Sequence, residues 1–311
     1  MELTLTAQRS GRLSSFLKTE LKMSTGLMNK VKWADGLRVG GVRCHTDYQV
    51  APGDQICVLL EEAAPDYPAE DGPLTVLYED AYFLAVDKPA GMLVHPSRNR
   101  NTGTLANLIQ GYYVKTGQQG AFHPLTRLDR DTFGIVLIAK NAHIHALLQA
   151  EKPRKCYEAL TFGGPVENEG LIDAPIARKP LPSLLREVRP DGKPSQTRFR
   201  VLERENGICR LALEPLTGRT HQLRLHCAYS GFPILGDPQY GTENSTALSH
   251  RLGYETQLLL AKTLEFPHPI TGQQMHLESQ MQLPKWEGVD RGQLTVDSYW
   301  GDKRCSFLNI R

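Results

Sequence analysis

Hydrophobic residues recur at helical spacing near the start of the chain. The four apolar positions that set this spacing are Leu13, Phe16, Leu17 and Leu21. A second helix is predicted around Gly26–Trp33, with Ser24 or Thr25 as its N-cap and Gly36 as a C-terminal cap. A hairpin turning at Gly40-Gly41 and a final strand, QICVLL, follow. The first sixty residues are therefore predicted to form a small helix–helix–hairpin unit.

From residue 74 the pattern changes to short apolar runs that read as strands: LTVLY, YFLAVDK, GIVLIAK, YEALTFG, TRFRVLE, ICRLALEPL and QLLLAKTLEF. Helices are predicted at 103–113, at 141–150 after an Asn141 N-cap, and at 221–230 between a Thr220 N-cap and Gly231. Short turns such as Glu205-Asn206-Gly207 favour antiparallel pairing. We therefore expect an α+β fold with a mixed, largely antiparallel sheet.

The two patterns meet at the segment EEAAPDYPAEDGP, residues 61–73, which carries five acids and several prolines and reads as a linker. It separates a module of residues 1–60 from a larger domain, which we place at residues 74–290 and follow with a C-terminal tail, residues 291–311. A chain of 311 residues has room for two such units, each with its own core.

Charge is unevenly spread along the chain, although the formal net charge is only +2. Residues 7–45 hold eight basic side chains against two acidic ones, and residues 178–200 hold seven against two, with four prolines. Clustered basic charge is the electrostatic footprint of nucleic-acid binding. A solvated surface remains the alternative for each stretch, and a basic loop as long as the second is either functional or disordered. The two stretches together favour RNA.

Several classes of protein are disfavoured by what the sequence lacks. The six cysteines are scattered without a CxxC pair, which disfavours a zinc site and a disulfide framework. There is no secretory h-region and no long apolar span, so we expect a cytoplasmic protein without a membrane partner. Phosphate-loop, dinucleotide-loop and zinc-protease motifs are absent. We therefore expect no cofactor and no metal, and we expect a monomer.

Two segments carry candidate chemistry. Asp129 stands between Arg127 and Arg130 just before a buried strand, where it is either a structural ion-pair partner or a nucleophile. In the second segment, His221 and Arg224 share one face of the predicted helix at i and i+3. Packing without chemistry is the alternative for His221, and a surface cation is the alternative for Arg219.

The first sixty residues resemble the small αL RNA-binding module of a ribosomal protein and of several RNA-modifying enzymes. The resemblance is carried by Arg12-Leu13, the helix pair, Val39-Gly40-Gly41 and Pro52-Gly53-Asp54. Ser14, Thr25 and Gly40 depart from the usual pattern of this module. We expect RNA contacts from the basic residues of the module: Arg12, Lys18, Lys30, Lys32, Arg38 and Arg43.

The larger domain resembles the RluA/RluD family of RNA pseudouridine synthases. Five motifs occur in the family's order: VLYEDAYFLAVDKPAGMLVHP, RLDRDTFGIVLIAK, KCYEAL, GRTHQLRLHCAYSGFPILGDPQYG and LLLAKTLEFPHPITG. The resemblance implies a synthase fold with a central cleft and an isomerase that converts uridines of structured RNA, most often large-subunit ribosomal RNA, to pseudouridine. Transfer RNA is the other possible substrate.

The same resemblance implies roles for individual residues. Asp129 would be the nucleophile, Tyr157 would stack on the target base and is a proposed general base, and Arg224 would pair with the catalytic Asp. Leu259 would line the uracil pocket, and Arg127 and Arg130 would help to flip the nucleotide and hold phosphate. His221 and Arg219 are further candidates for substrate binding. Thr126 and Leu260 depart from the family pattern, where His is usual at both positions.

Two alternatives stay open on sequence alone. The first is a non-catalytic RNA-binding or ribosome-assembly protein on the same scaffold, although it would be expected to lack Asp129, Tyr157 or Arg224. The second is a hydrolase of another class that uses Asp129 and His221. No nucleophile-elbow motif accompanies those two residues.

Overall fold

The computed structural model describes residues 2–62, 65, 67–97, 100–183 and 185–286. These residues form two compact units. The first unit holds residues 2–157 and 260–282, and the second holds residues 158–259 and 283–286. The predicted tail, residues 291–311, and the end of the predicted catalytic domain, residues 287–290, lie outside the described residues.

The N-terminal part of the first unit contains a four-stranded sheet, a separate two-stranded sheet and two helices. Its elements in chain order are β1 (Glu2–Thr6), β2 (Gly11–Arg12), α1 (Leu13–Thr19), α2 (Thr25–Trp33), β3 (Leu37–Val39), β4 (Val42–Arg43), β5 (Gln49–Val50) and β6 (Gln55–Leu59). The sheet order is β1-β6-β3-β4, and every pair in it is antiparallel. Phe16, Leu17 and Val31 are buried in its core. Both predicted helices, the hairpin turn and the last strand are confirmed, whereas β1 was not predicted.

The ends of α2 confirm one capping prediction and correct another. Ser24 is the N-cap, because its side chain accepts a hydrogen bond from the Leu27 amide. Beyond the helix, however, Asp35 takes the left-handed conformation that the sequence assigned to Gly36. Gly36 is needed for a different reason, since a Cβ there would lie 2.7 Å from the carbonyl oxygen of Leu59.

The second half of the predicted linker is anchored. The Glu70 carboxylate accepts the Gly103 amide at 2.9 Å, and the Pro68 carbonyl accepts the Asn107 side-chain amide at 2.8 Å. At Gly111 a Cβ would lie 1.9 Å from the carbonyl oxygen of Glu70, so only glycine permits this approach. The prolines and acidic residues of this segment therefore predicted an exposed connection. They did not predict that its second half would pack against the segment that contains Gly103, Asn107 and Gly111.

The rest of the first unit is a sheet with helices on both faces. Its elements are β7 (Thr75–Glu79), β8 (Phe83–Lys88), α3 (Leu105–Thr116), β9 (His123–Pro124), β10 (Phe133–Ala139), α4 (Ala142–Ala150), the start of β11 (Arg154–Phe162), and, later in the chain, β17 (Leu259–Pro267) and β18 (Gln274–Glu278). Alternate residues of β8 point to opposite faces. Leu84 and Val86 join the core under α3, while Phe83 and Ala85 join the core under α4. Burial on both faces explains why β8 and β10 read as continuous apolar runs.

The second unit holds β12 (Glu169–Asp173), β13 (Ile176–Arg178), β14 (Arg186–Val188), β15 (Gln196–Glu205), β16 (Ile208–Pro215), α5 (Gln222–Tyr229) and α6 (Glu243–Arg251). β15 and β16 form the predicted hairpin, with Asn206 and Gly207 both at positive φ. The basic stretch 178–200, expected to be a loop, contains an antiparallel pairing of β13 with β14. That expectation was wrong for this part of the stretch, and α6 was not predicted.

The predicted fold class is confirmed. Antiparallel pairs predominate, and β10 pairs in parallel with β17, with Phe133 opposite Leu260 and Gly134 opposite Ala261. The helices predicted at 103–113 and 141–150 correspond to α3 and α4, and Asn141 caps α4 by accepting the Ile144 amide. None of the helices in the described ranges has the length and hydropathy that a membrane-spanning segment requires.

Candidate active site

Asp129 lies in the loop that leads into β10, in the first unit. Leu128, directly before it, is buried in the core under α3. Four residues after Asp129, β10 begins beside β17 at a very close approach. Gly134 has a φ of +105°, and a Cβ there would lie 2.4 Å from the Ala261 carbonyl oxygen. The loop is therefore anchored on both sides of the carboxylate.

Lys88, at the end of β8, fastens this loop from inside the protein. The residue is fully buried, and its ammonium donates to the carbonyls of Pro89 at 2.9 Å, Met92 at 2.8 Å and Arg130 at 2.9 Å. Burial lowers the pKa of Lys88 to about 8, and the nearby charges of Asp131 and Asp129 oppose this shift. The lysine thus holds the backbone of the residue next to Asp129.

Tyr157 of β11 belongs to the same electrostatic environment as Asp129. Its ring packs against the core under α3. Burial raises the pKa of Tyr157, and the negative charge of Asp129 raises it further. The phenol is therefore protonated at neutral pH, which suits a stacking surface and a hydrogen-bond donor better than a phenolate base.

The two arginines beside Asp129 are both exposed. Arg130 is engaged with the next carboxylate in the chain, since its Nε and Nη2 contact the two carboxylate oxygens of Asp131 at 3.0 Å each. The first arginine, Arg127, lowers the pKa of His95 through its charge, after the larger effect of burial. The sequence did not anticipate that Arg130 would be held by Asp131.

Arg224 forms a buried ion pair in the second unit. Its Nε and Nη2 each contact an Asp237 carboxylate oxygen at 2.7 Å, and Nη2 also donates to the Gln239 side chain at 2.9 Å. The exposed fractions of the Arg224 and Asp237 side chains are 5% and 1%. Asp237 Oδ1 also accepts the amides of Gln239 and Tyr240. A bidentate contact of this kind fixes the plane of the guanidinium group.

Tyr240 connects Arg224 to two other parts of the second unit. The Arg224 guanidinium lies 5.2 Å from the centre of the Tyr240 ring. The Tyr240 hydroxyl accepts the Arg186 amide at 3.0 Å and lies 2.9 Å from His221 Nδ1. One side chain thus links β14, the start of α5 and the buried arginine.

The start of α5 differs from its prediction. The N-cap is His221, in the left-handed conformation and without a side-chain cap, so the Thr220 cap was wrong. The turn is stabilised instead by the side chain of Gln222. Its oxygen accepts hydrogen bonds from the Thr217 hydroxyl and the Arg219 amide. Its nitrogen donates to the Gln196 carbonyl and the Thr197 hydroxyl. Gly231 follows the helix at positive φ, as predicted.

The remaining predicted residues are distributed as follows. Arg219 is exposed and donates to the Pro194 carbonyl at 3.3 Å, and Leu259 is buried at the start of β17. In the N-terminal part, Lys32 and Arg38 are half-buried, whereas four cations are exposed: Arg12, Lys18, Lys30 and Arg43. Of these four, Arg43 pairs with Asp35 at 3.0 Å. The first unit therefore holds Asp129, Tyr157, both arginines of the loop and the basic N-terminal residues, and the second holds Arg224, His221, Arg219 and Leu259.

The chain is similar to known proteins over most of its length. A family model described as RNA pseudouridylate synthase matches residues 82–229. The RNA pseudouridine synthase YlyB of Bacillus subtilis (strain 168) is 37% identical over an alignment of 283 residues, and the match covers 88% of this chain and 91% of that protein. The ribosomal large subunit pseudouridine synthase D of Pseudomonas aeruginosa is 36% identical over an alignment of 246 residues, and the match covers 74% of this chain and 75% of that protein. The chain belongs to the RluA/RluD family of RNA pseudouridine synthases.

The synthase is therefore an isomerase that acts on RNA, and the hydrolase alternative is wrong. Among solved structures, human RNA pseudouridylate synthase domain containing 1 has a TM-score of 0.54 and 23% identity, covering 70% of this chain and 93% of that one. At that identity the likeness bears on the fold alone, and it agrees with the α+β architecture of the synthase.

Three residues that contact predicted site residues were missed by the sequence analysis: Lys88, which bonds the Arg130 carbonyl, and Asp237 and Tyr240, which contact Arg224. All three lie within motifs that carried the resemblance, DKPAG and GDPQYG. A lysine that ends an apolar strand was a usable sign of a buried cation. The contacts of Asp237 and Tyr240 join residues more than ten positions apart, which spacing on one helix does not indicate.

Proposed function

We propose that Asp129 is the nucleophile of this RNA pseudouridine synthase, with Tyr157 as the surface on which the target uracil stacks. The observation that carries the proposal is that the Tyr157 ring packs against the same core as Leu128, the residue directly before Asp129. The Asp129 carboxylate lies close enough for its charge to raise the pKa of Tyr157, in addition to the larger effect of burial. A carboxylate near an aromatic ring suits attack on a ribose whose base has left the helix stack. Stacking on an aromatic ring recovers about 1–3 kcal/mol of the flipping cost.

The proposed reaction balances without a redox partner. The Asp129 carboxylate forms a bond to C1′ of the ribose as the bond between C1′ and uracil N1 breaks. The base rotates, C5 bonds to C1′, and the carboxylate leaves. The hydrogen on C5 goes to solvent and N1 gains a proton, so the product is an isomer of the substrate.

The other candidate residues are given supporting roles. Arg224 keeps a fixed positive charge for the developing negative charge of the reaction, because Asp237 orients its guanidinium. Arg127 and Arg130 contact phosphate beside the flipped nucleotide, and Leu259 lines the uracil pocket. His221 and Arg219, at the start of α5, bind the substrate backbone.

The decisive experiment follows tritium release from RNA labelled at C5 of uridine. We expect Asp129→Asn to lower the rate by more than about a thousandfold, because the nucleophile is lost. Asp131→Asn is the matched control on the same loop, and it should retain measurable release because Asp131 positions Arg130. Wild-type release by Asp129→Asn would remove Asp129 from the mechanism.

We propose large-subunit ribosomal RNA as the substrate, as the name of the Pseudomonas aeruginosa relative suggests. Residues 1–60 are the proposed RNA-binding module, residues 61–73 its link to a catalytic domain at 74–290. Pseudouridines mapped in total RNA from cells that carry wild-type enzyme or Asp129→Asn will identify the target. A site that disappears only from transfer RNA would refute the ribosomal assignment. A cytoplasmic monomer without a cofactor stays a prediction from sequence.

A further inference from the structure

Trp33 is unusually exposed for the largest apolar side chain. Its exposed fraction is 82%, higher than that of any other large hydrophobic residue in the described ranges. It is the last residue of α2, in the basic N-terminal part of the first unit. From the sequence, Trp33 was predicted only as the end of the helix Gly26–Trp33. The ring makes no contribution to the core that the same helix builds with Met28 and Val31.

The helix that carries Trp33 is packed into the core. Met28 and Val31 fix α2 from its buried face, and the chain leaves the helix through Asp35 in the left-handed conformation. The Gly36 amide then donates to the Val31 carbonyl at 2.9 Å, and Gly36 packs too closely on Leu59 to admit a Cβ. A tryptophan on such a support has only two rotatable side-chain bonds, so immobilising its ring costs little entropy.

Two basic side chains of α2 neighbour the ring. The Lys32 ammonium lies 5.4 Å from the centre of the Trp33 ring. Lys30 is three residues before Trp33 and therefore shares its side of the helix. Residues 7–45 carry a local net charge of +6. An exposed aromatic ring among cations is the arrangement by which proteins bind unpaired nucleotides, with the ring under the base and the cations at the phosphates.

We propose that Trp33 is a stacking platform for an unpaired nucleobase of the RNA substrate, with Lys30 and Lys32 at the flanking phosphates. The inference rests on the proposed RNA-binding role of residues 1–60 and adds a selectivity to it. A paired base is already stacked within its helix, whereas a base in a loop or bulge has a free face. The platform therefore favours RNA with an unpaired loop over continuous duplex.

The test compares two RNA probes bound by the full chain: a hairpin with an unpaired loop and a blunt duplex with the same number of phosphates. We expect Trp33→Ala to weaken hairpin binding about 5- to 150-fold, the equivalent of about 1–3 kcal/mol, and to leave duplex binding unchanged. Trp33→Phe should retain most of the affinity. Val166→Ala, a change at another exposed apolar residue (70% exposed), is the matched control and should behave as wild type.

Fluorescence provides a second readout of the same binding. In a Trp300→Phe background, hairpin RNA should quench indole emission, and the quenching should be smaller when Trp33 is also replaced by Phe, because the other tryptophan, Trp286, is 6% exposed. Equal losses for hairpin and duplex, or unchanged hairpin affinity in Trp33→Ala, would overturn the inference. A change in oligomeric state instead of RNA affinity would assign Trp33 to a protein contact and would also overturn it.

The salt dependence separates this inference from the proposed function. Replacing both Lys30 and Lys32 with Ala should lower the salt slope of binding by about 1.4–1.8 for either probe, whereas Trp33→Ala should not change it. If the lysine variant keeps its slope and affinity, the RNA-binding role of the module fails. If the lysine variant weakens binding and Trp33→Ala does not, only the stacking platform fails.

Discussion

Each unit of the enzyme buries a cation, Lys88 in the first unit and Arg224 in the second, and different groups compensate the two charges. In the first unit, Lys88 donates to three backbone carbonyls. In the second unit, Arg224 is held by the Asp237 carboxylate and the Gln239 side chain. Carbonyl oxygens carry only partial charge, so they compensate burial incompletely, and the pKa of Lys88 falls to about 8. A guanidinium stays charged at any pH the enzyme meets.

The difference assigns the two cations to different tasks. Lys88 bonds to the backbone on both sides of its own turn and to Arg130, so its contribution is to fix the shape of the Asp129 loop. Arg224 presents a permanent positive charge in a fixed plane, which is what a reaction with developing negative charge requires. Removing the Asp237 carboxylate should therefore lower the free energy of unfolding more than removing the charge of Lys88.

The largest effect on stability is expected when Asp237 is removed. Asp237→Ala leaves Arg224 buried without its carboxylate, so the free energy of unfolding should fall by about 3–5 kcal/mol. The matched control is Asp191→Ala in the same unit. Asp191 also pairs with an arginine, Arg189, but its side chain is 69% exposed, so removing it should leave the free energy of unfolding close to the wild-type value. Urea titration of both variants measures the difference, and equal losses would contradict the contrast between buried and exposed pairs.

The second effect is a change in how stability depends on pH. The folded-state pKa of Lys88 lies near 8 and its ordinary value near 10.5, so between these pH values the unfolded chain binds more protons than the folded chain. The free energy of unfolding should therefore rise with pH across this window, by up to about 3 kcal/mol from this group.

Lys88→Met should abolish that rise, because the titrating group is gone. It should also lower stability at pH 7, because three buried carbonyls lose their donor. Lys115→Met is the control, since Lys115 is 70% exposed, and it should keep the wild-type dependence on pH. An unchanged slope in Lys88→Met between pH 8 and 10.5 would show that Lys88 is not the group responsible.

Much of the fold follows from local sequence. Strands covered on both faces, such as β8 and β10, are continuous apolar runs, and capped helices such as α4 show their N-cap residue directly. Elements without a strong local pattern were missed. The segment of α6, ENSTALSHR, has few apolar residues, and β14 lies in a charged, proline-rich stretch. The boundary between the units lies inside β11, a single continuous strand, and has no sequence mark.

Contacts between residues close together in the sequence could be predicted more readily than contacts made by folding. His221 and Arg224 both contact Tyr240, but helical spacing does not explain this, because His221 precedes α5 in the left-handed conformation. The contact of Asp237 with Arg224 depends on the geometry of the loop after α5. The contact of Asp131 with Arg130 depends on competition between neighbouring carboxylates. The docking of Glu70 on the Gly103 amide likewise depends on chain segments brought together by folding.

The smallest effect is expected at the Tyr240 hydroxyl. Tyr240→Phe keeps the ring beside Arg224 but removes the partner of the Arg186 amide and of His221, so unfolding should become easier by about 1 kcal/mol. Tyr240→Leu should cost about 1 kcal/mol more, since the contact between cation and ring is lost as well. Tyr229→Phe, at a residue of α5 that is 60% exposed, is the control for removing a hydroxyl.

Tritium release adds a readout that packing alone would not move. If Tyr240 positions Arg224 through its hydroxyl, Tyr240→Phe should lower kcat while KM changes little, because the guanidinium is misplaced for the chemical step and not for RNA binding. Wild-type kcat in Tyr240→Phe with a loss in Tyr240→Leu would instead assign the effect to the ring. In that case the fixed plane of Arg224 would depend on Asp237 and on stacking, and the second unit would hold its cation without help from β14.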